Sequence, residues 1–128
     1  MQPEVLIIED RDYLRQILVA VLQDYGYPTL GLGSAALALE RLKEIKPRLI
    51  LLDMHMPGMD GREFLIRLRA KPDWTDLPVL VVSGFGETML PSADRRTLAV
   101  LEKPFDNTTL LAFVQQMIGP ARALAAPA

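Results

Sequence analysis

Asp53 closes an uninterrupted apolar run, Leu49-Ile50-Leu51-Leu52, and opens a loop reading Met54-His55-Met56-Pro57-Gly58-Met59-Asp60-Gly61. Such a run reads as a strand buried on both faces of a parallel sheet. In open parallel α/β sheets the chemistry gathers beyond the carboxyl ends of the strands. Three more runs end in reactive groups. Val5-Leu6-Ile7-Ile8 leads into Glu9-Asp10, Val79-Leu80-Val81-Val82 into Ser83, and Leu98-Ala99-Val100-Leu101 into Glu102-Lys103-Pro104. Carboxylates placed together repel one another unless a cation sits among them. An oxygen-only donor set, with no cysteine and one histidine in the chain, points to Mg²⁺ rather than a transition metal. A carboxylate beside such an ion can attack phosphorus, with a lysine and a hydroxyl left to stabilise the transferred oxygens.

Strand-like and helix-like segments alternate along the chain, which predicts an α/β fold with a parallel sheet. Leu14, Ile17, Leu18, Val21 and Leu22 recur at helical spacing, and Gly26 is a plausible stop. Pro28 to Leu32 reads as a weak strand whose Pro and Gly suit a sheet edge. Ser34 is placed to cap a helix from Ala35 to about Ile45, and Pro47 ends it. Asp60 is placed to cap a helix carrying Phe64, Leu65 and Leu68, followed by a loop from Lys71 to Asp76. Asp106 is placed to cap a last helix, Asn107 to Ile118, which Gly119-Pro120 terminates. Residues 1–119 therefore read as one domain and 120–128 as an Ala/Pro-rich tail or linker stub.

A length of 128 residues fits a single domain, and a net charge of −2 with no basic cluster argues against a nucleic-acid surface. No leader pattern begins at Met1, and no apolar run approaches ~18 residues, so a cytoplasmic protein without a membrane span is expected. Several residues read as structural. Met54, Met56 and Met59 suit local packing, Trp74 packs its own loop, Asp60 caps, and the His55 side chain is solvated.

Glu9-Asp10, Asp53 with Met56-Pro57-Gly58, Asp60-Gly61, Ser83-Gly84 and Lys103-Pro104-Phe105 stand in the order of the receiver domain of two-component response regulators, which the chain resembles over nearly its whole length. The resemblance implies a flavodoxin-like doubly wound (βα)5 fold, with five parallel strands in the order 2-1-3-4-5. It implies Asp53 as phosphoacceptor, Asp10 as a direct Mg²⁺ ligand, Glu9 acting through water, and the backbone carbonyl of His55 as a further ligand. Ser83 and Lys103 would follow and stabilise the phosphoryl group, and the Lys103-Pro104 peptide would be cis. The implied donor is a histidine kinase or histidine phosphotransfer protein, and the module signals rather than turning over a substrate.

Two other classes share some of these parts. A haloacid-dehalogenase-type phosphatase needs a second acid two residues after the nucleophile, where this chain has His55. A flavodoxin-like FMN binder needs a glycine- and hydroxyl-rich loop after the first strand, where this chain has Glu9-Asp10-Arg11-Asp12. A receiver that is never phosphorylated is disfavoured by the intact acids, Ser83 and Lys103.

The chain departs from the family between the fourth and fifth strands. Gly84, Gly86 and Pro91 make a poor helix, and Val100 stands where most receivers have an aromatic switch residue. A short, displaced or mobile helix is expected there, with Phe85 covering the site or packing the loop. The family's usual dimer through this helix and the fifth strand is thereby put in doubt.

Overall fold

A computed structural model describes residues 2–84 and 98–122. The elements are β1 (Val5–Ile8), α1 (Asp12–Asp24), β2 (Thr29–Leu32), α2 (Ala35–Arg41), β3 (Leu49–Asp53), α3 (Gly61–Arg69), a 3-10 turn (Pro72–Trp74), β4 (Val79–Ser83), β5 (Leu98–Glu102) and α4 (Asn107–Ile118). The five strands are parallel and lie in the order β2-β1-β3-β4-β5. This is the flavodoxin-like arrangement expected from the sequence. The segment expected to form a short, displaced or mobile helix, Phe85 within it and the dimer face that depends on them lie outside the described residues.

The continuous apolar runs form strands because both faces of the sheet are covered. Successive side chains point to opposite faces, so each run feeds two cores. Leu6, Ile8, Ile50, Leu52, Val79 and Val81 pack with Ala38, Phe64 and Leu65 of α2 and α3. Val5, Ile7, Leu49, Leu51, Leu80 and Val82 pack with Leu18, Leu22, Leu110 and Val114 of α1 and α4. Each fully buried Leu or Ile contributes about 1.5–3 kcal/mol relative to an exposed one. β2 is one of the two edge strands, as Pro28 just before it and Gly31 within it suggested.

Three helices begin on the residues expected to cap them. The Ser34, Asp60 and Asp106 side chains accept hydrogen bonds from the N–H groups of Leu37, Glu63 and Thr109. α2 is shorter than its apolar spacing predicts. After Arg41 the backbone tightens, with Lys43 N–H donating to the Glu40 carbonyl and Glu44 N–H to the Arg41 carbonyl. Leu42 and Ile45 remain buried in this turn, so the apolar pattern continues past the regular helix. The loop expected from Lys71 to Asp76 contains the 3-10 turn, whose Trp74 is half-buried against the core.

The amino edge of the sheet is tied to the end of α4. Tyr27 is fully buried and its hydroxyl donates to the Gly119 carbonyl at 2.7 Å. The Arg48 guanidinium donates to the Ile118 carbonyl, and it lies 3.6 Å from Glu4. Arg122 lies 3.8 Å from the same carboxylate. Among the described residues, no helix is long and apolar enough to cross a membrane.

Candidate functional site

Parallel pairing brings the strand ends to one edge. Ile8 is level with Leu52, Asp53 with Val82, and Ser83 with Glu102. Glu9 and Asp10 follow β1, Asp53 and Ser83 are the last residues of β3 and β4, and Lys103 follows β5. Glu9, Asp10 and Asp53 each offer a carboxylate oxygen within 4.8 Å of the others. The Lys103 ammonium stands 3.8 Å from Asp53 Oδ1 and 3.9 Å from Glu9 Oε1. These separations are close enough for attraction but too long for hydrogen bonds.

Asp53 is 3 % exposed. Its Oδ1 accepts the His55 N–H at 3.2 Å, whereas Oδ2 is buried without a hydrogen-bond partner. Ser83 is buried too, and its Oγ has no partner. The Lys103 N–H donates to the Ser83 carbonyl at 2.7 Å, joining the ends of β4 and β5. The Lys103-Pro104 peptide is cis. His55 is exposed, with its amide turned toward Asp53.

Glu9 is nearly inaccessible and its pKa is pushed up from 4.5 to about 7. Burial is the main cause, and the Asp53 charge and hydrogen bonding with Asp10 and Asp53 add to it. The Arg11 N–H, donating to Glu9 Oε2 at 2.9 Å, opposes the shift. The cluster thus carries more negative charge than it can hold comfortably, and it has an orphaned carboxylate oxygen. Both observations suit a hard divalent cation bound through oxygen.

The N-terminus of α3 is pressed against this turn. Gly61 N–H donates to the Met54 carbonyl at 3.2 Å. A Cβ on Gly61 would stand 2.6 Å from Met54 Sδ, 2.8 Å from Met54 Cα and 3.2 Å from the Asp53 carbonyl. Met54 and Met56 are buried in the core, in keeping with a packing role.

The family model described as the response regulator receiver domain matches residues 5–115. The chain belongs to this family. It is 35% identical over 116 residues to the response regulator receiver protein CpdR of Brucella abortus, covering 89% of this chain and 95% of that one. It is 32% identical over 108 residues to sporulation initiation phosphotransferase F of Bacillus subtilis, covering 83% of this chain and 86% of that one. A solved chemotaxis protein of Vibrio cholerae superposes with a TM-score of 0.81 at 26% identity, over 91% of this chain and 99% of that one. The receiver domain is a signalling module of two-component systems, and its relatives are response regulators and phosphorelay proteins.

Sequence reasoning passed over Arg15, whose guanidinium donates to the Glu9 carbonyl at 2.8 Å and pairs with Asp12. Of the two glycines beside it, Gly31 reads in sequence only as a mark of an edge strand, and Gly33 carries no local signal. The Tyr27 and Arg48 bonds to the end of α4 span 92 and 70 residues of sequence, which no local pattern could reveal.

Proposed function

We propose that this receiver domain takes a phosphoryl group from a phosphohistidine donor onto Asp53, with Mg²⁺ held by Asp10, Asp53, the His55 backbone carbonyl and, through water, Glu9. The observation that carries the reading is the buried Asp53 carboxylate, facing two other acids and a lysine that is near but not bonded. A carboxylate oxygen of Asp53 attacks phosphorus, the bond from phosphorus to the donor imidazole nitrogen breaks, and that nitrogen keeps the electron pair. Lys103 turns its ammonium to the transferred oxygens, and the unpartnered Ser83 hydroxyl donates to one of them. When bound, Mg²⁺ supplies positive charge that offsets the cluster and the incoming phosphoryl oxygens. The product differs from the resting state in local charge and shape, and this alters what a partner surface binds.

Residues 1–119 form the switching module in this reading, operating in the cytoplasm, with a histidine kinase or phosphotransfer protein as donor. The Ala/Pro-rich tail begins at Pro120, and Ala121 and Arg122 after it lie against the module. Incubation with acetyl phosphate and Mg²⁺, followed by intact-mass measurement, tests the assignment. One added phosphoryl group that is absent from Asp53→Asn is expected. No addition, or one that survives the substitution, would mean a non-phosphorylated interaction module instead.

A further inference from the structure

α1 starts without a side-chain cap of its own. Arg11 stands at the N-cap in extended backbone and makes no cap bond through its side chain. The turn before it is held in other ways. Glu9 N–H donates to the Leu32 carbonyl at 3.1 Å, and Glu9 Oε2 accepts the Arg11 N–H. Arg15, one turn into the helix, reaches back to the Glu9 carbonyl through Nη1 and to Asp12 through Nη2. Both polar groups of the Glu9 backbone are therefore fixed, and with them the direction in which Asp10 leaves the strand.

Helix formation gives Arg15 only the pair with Asp12 three residues earlier, whose carboxylate is 80% exposed. The amino end of a helix carries positive partial charge and disfavours a basic residue. Nor is the Arg15 side chain solvated in the ordinary way, being only 19% exposed. It lies over β2 and the residue after it, where the chain has glycine at 31 and 33. A Cβ on Gly33 would stand 3.1 Å from Arg15 Nη1 and 3.7 Å from Cζ, and would meet no other atom within 4 Å. A Cβ on Gly31 would stand 2.9 Å from Arg15 Cγ and 2.8 Å from Val19 Cγ2. Neither glycine has positive φ, unlike Gly26, Gly58 and Gly119. The backbone would accept alanine at both positions. What glycine provides is room for the arginine at 33, and for the arginine and Val19 together at 31.

We propose that Arg15 is a positioning residue for the acid cluster: seated in the groove that Gly31 and Gly33 keep open, its guanidinium holds the Glu9 carbonyl and so aims Glu9 and Asp10 at the cation shared with Asp53. This rests on the reading that the cluster binds Mg²⁺. An edge strand that contributes no ligand thereby helps to set metal affinity.

Isothermal titration with Mg²⁺ on the wild type, Arg15→Met, Gly33→Ala and the double variant tests the idea, with melts in EDTA to check each fold. Partners that orient a metal ligand are worth about 10–100-fold in affinity, so Arg15→Met should weaken binding at least about tenfold. Gly33→Ala touches only Arg15 and should weaken it less. In the Arg15→Met background Gly33→Ala should change nothing, because contacting residues are not additive. A merely structural Arg15 would lower the melting temperature and leave the Mg²⁺ affinity as it was, which overturns the proposal. So does a Gly33→Ala effect that persists without Arg15. Should Arg15→Met not fold, Gly33→Ala decides alone, and unchanged affinity there overturns the proposal. Absence of saturable Mg²⁺ binding by the wild type would instead remove the cation reading itself, and this inference with it.

Discussion

Stripped of divalent cations, the folded protein should lose stability as pH rises from about 5 to about 8, and Glu9 should be the cause. Its carboxyl has a pKa of about 7 in the folded state against 4.5 for the unperturbed group. Across that interval the folded protein keeps a proton that the unfolded chain has released. The stabilisation is complete below the unfolded value, declines as pH rises through the folded one, and is level beyond it. A gap of about 2.5 units at about 1.36 kcal/mol each sets a ceiling near 3 kcal/mol, of which about 2–3 kcal/mol falls between pH 5 and 8. Urea unfolding in EDTA at a series of pH values measures it, with Glu9→Gln as the control that cannot ionise. Subtracting the two curves removes every other titrating group that behaves alike in both. Saturating Mg²⁺ should flatten the wild-type curve by taking the place of the proton, and the effect should shrink in Asp10→Ala. A difference between wild type and Glu9→Gln that stays constant from pH 5 to 8, or that moves in favour of the wild type at high pH, would refute the account.

Gly61→Ala should destabilise by about 1–3 kcal/mol, the usual penalty of forcing an atom into a filled space, because its Cβ meets Met54 backbone as well as side chain. Denaturant unfolding checks this, and the variant should also take up phosphoryl groups from acetyl phosphate more slowly, since the displaced backbone is that of Asp53 and Met54. Tyr27→Phe should lose about 1 kcal/mol, the net worth of the hydroxyl bond to Gly119. An unchanged urea midpoint would show that the bond contributes nothing.

The elements that place the acids were legible because burial on both sheet faces leaves a strong mark in sequence. Four runs of consecutive apolar residues became β1, β3, β4 and β5, and each ended within a residue of its expected limit. The caps were legible for a similar reason: Ser34, Asp60 and Asp106 act within three residues of their own positions. Reading failed where the decisive contact was distant or tertiary. α2 stops at Arg41 although Leu42 and Ile45 keep its apolar spacing, because a turn of tighter backbone buries the same residues. The approach of Gly33 to Arg15 lies between two elements and leaves only an unremarkable glycine in the sequence. Composition could announce several acids, but the orphaned Oδ2 of Asp53 and the high pKa of Glu9 arise only once the acids are buried together.

The Tyr27, Glu4 and Arg48 clasp lies at one end of β1, and Glu9 and Asp10 lie at the other. Between them run four residues, paired on one side with β2 and on the other with β3. A strand bonded along both margins has no slack: it neither stretches nor turns about its axis without tearing a row of hydrogen bonds. β1 is thus a strut about 13 Å long at ~3.3 Å per residue, with the end of α4 moored to its foot and the acid pair mounted on its head. The clasp, on the side of the sheet remote from the chemistry, thus fixes the foot of the same strand whose head carries the acids.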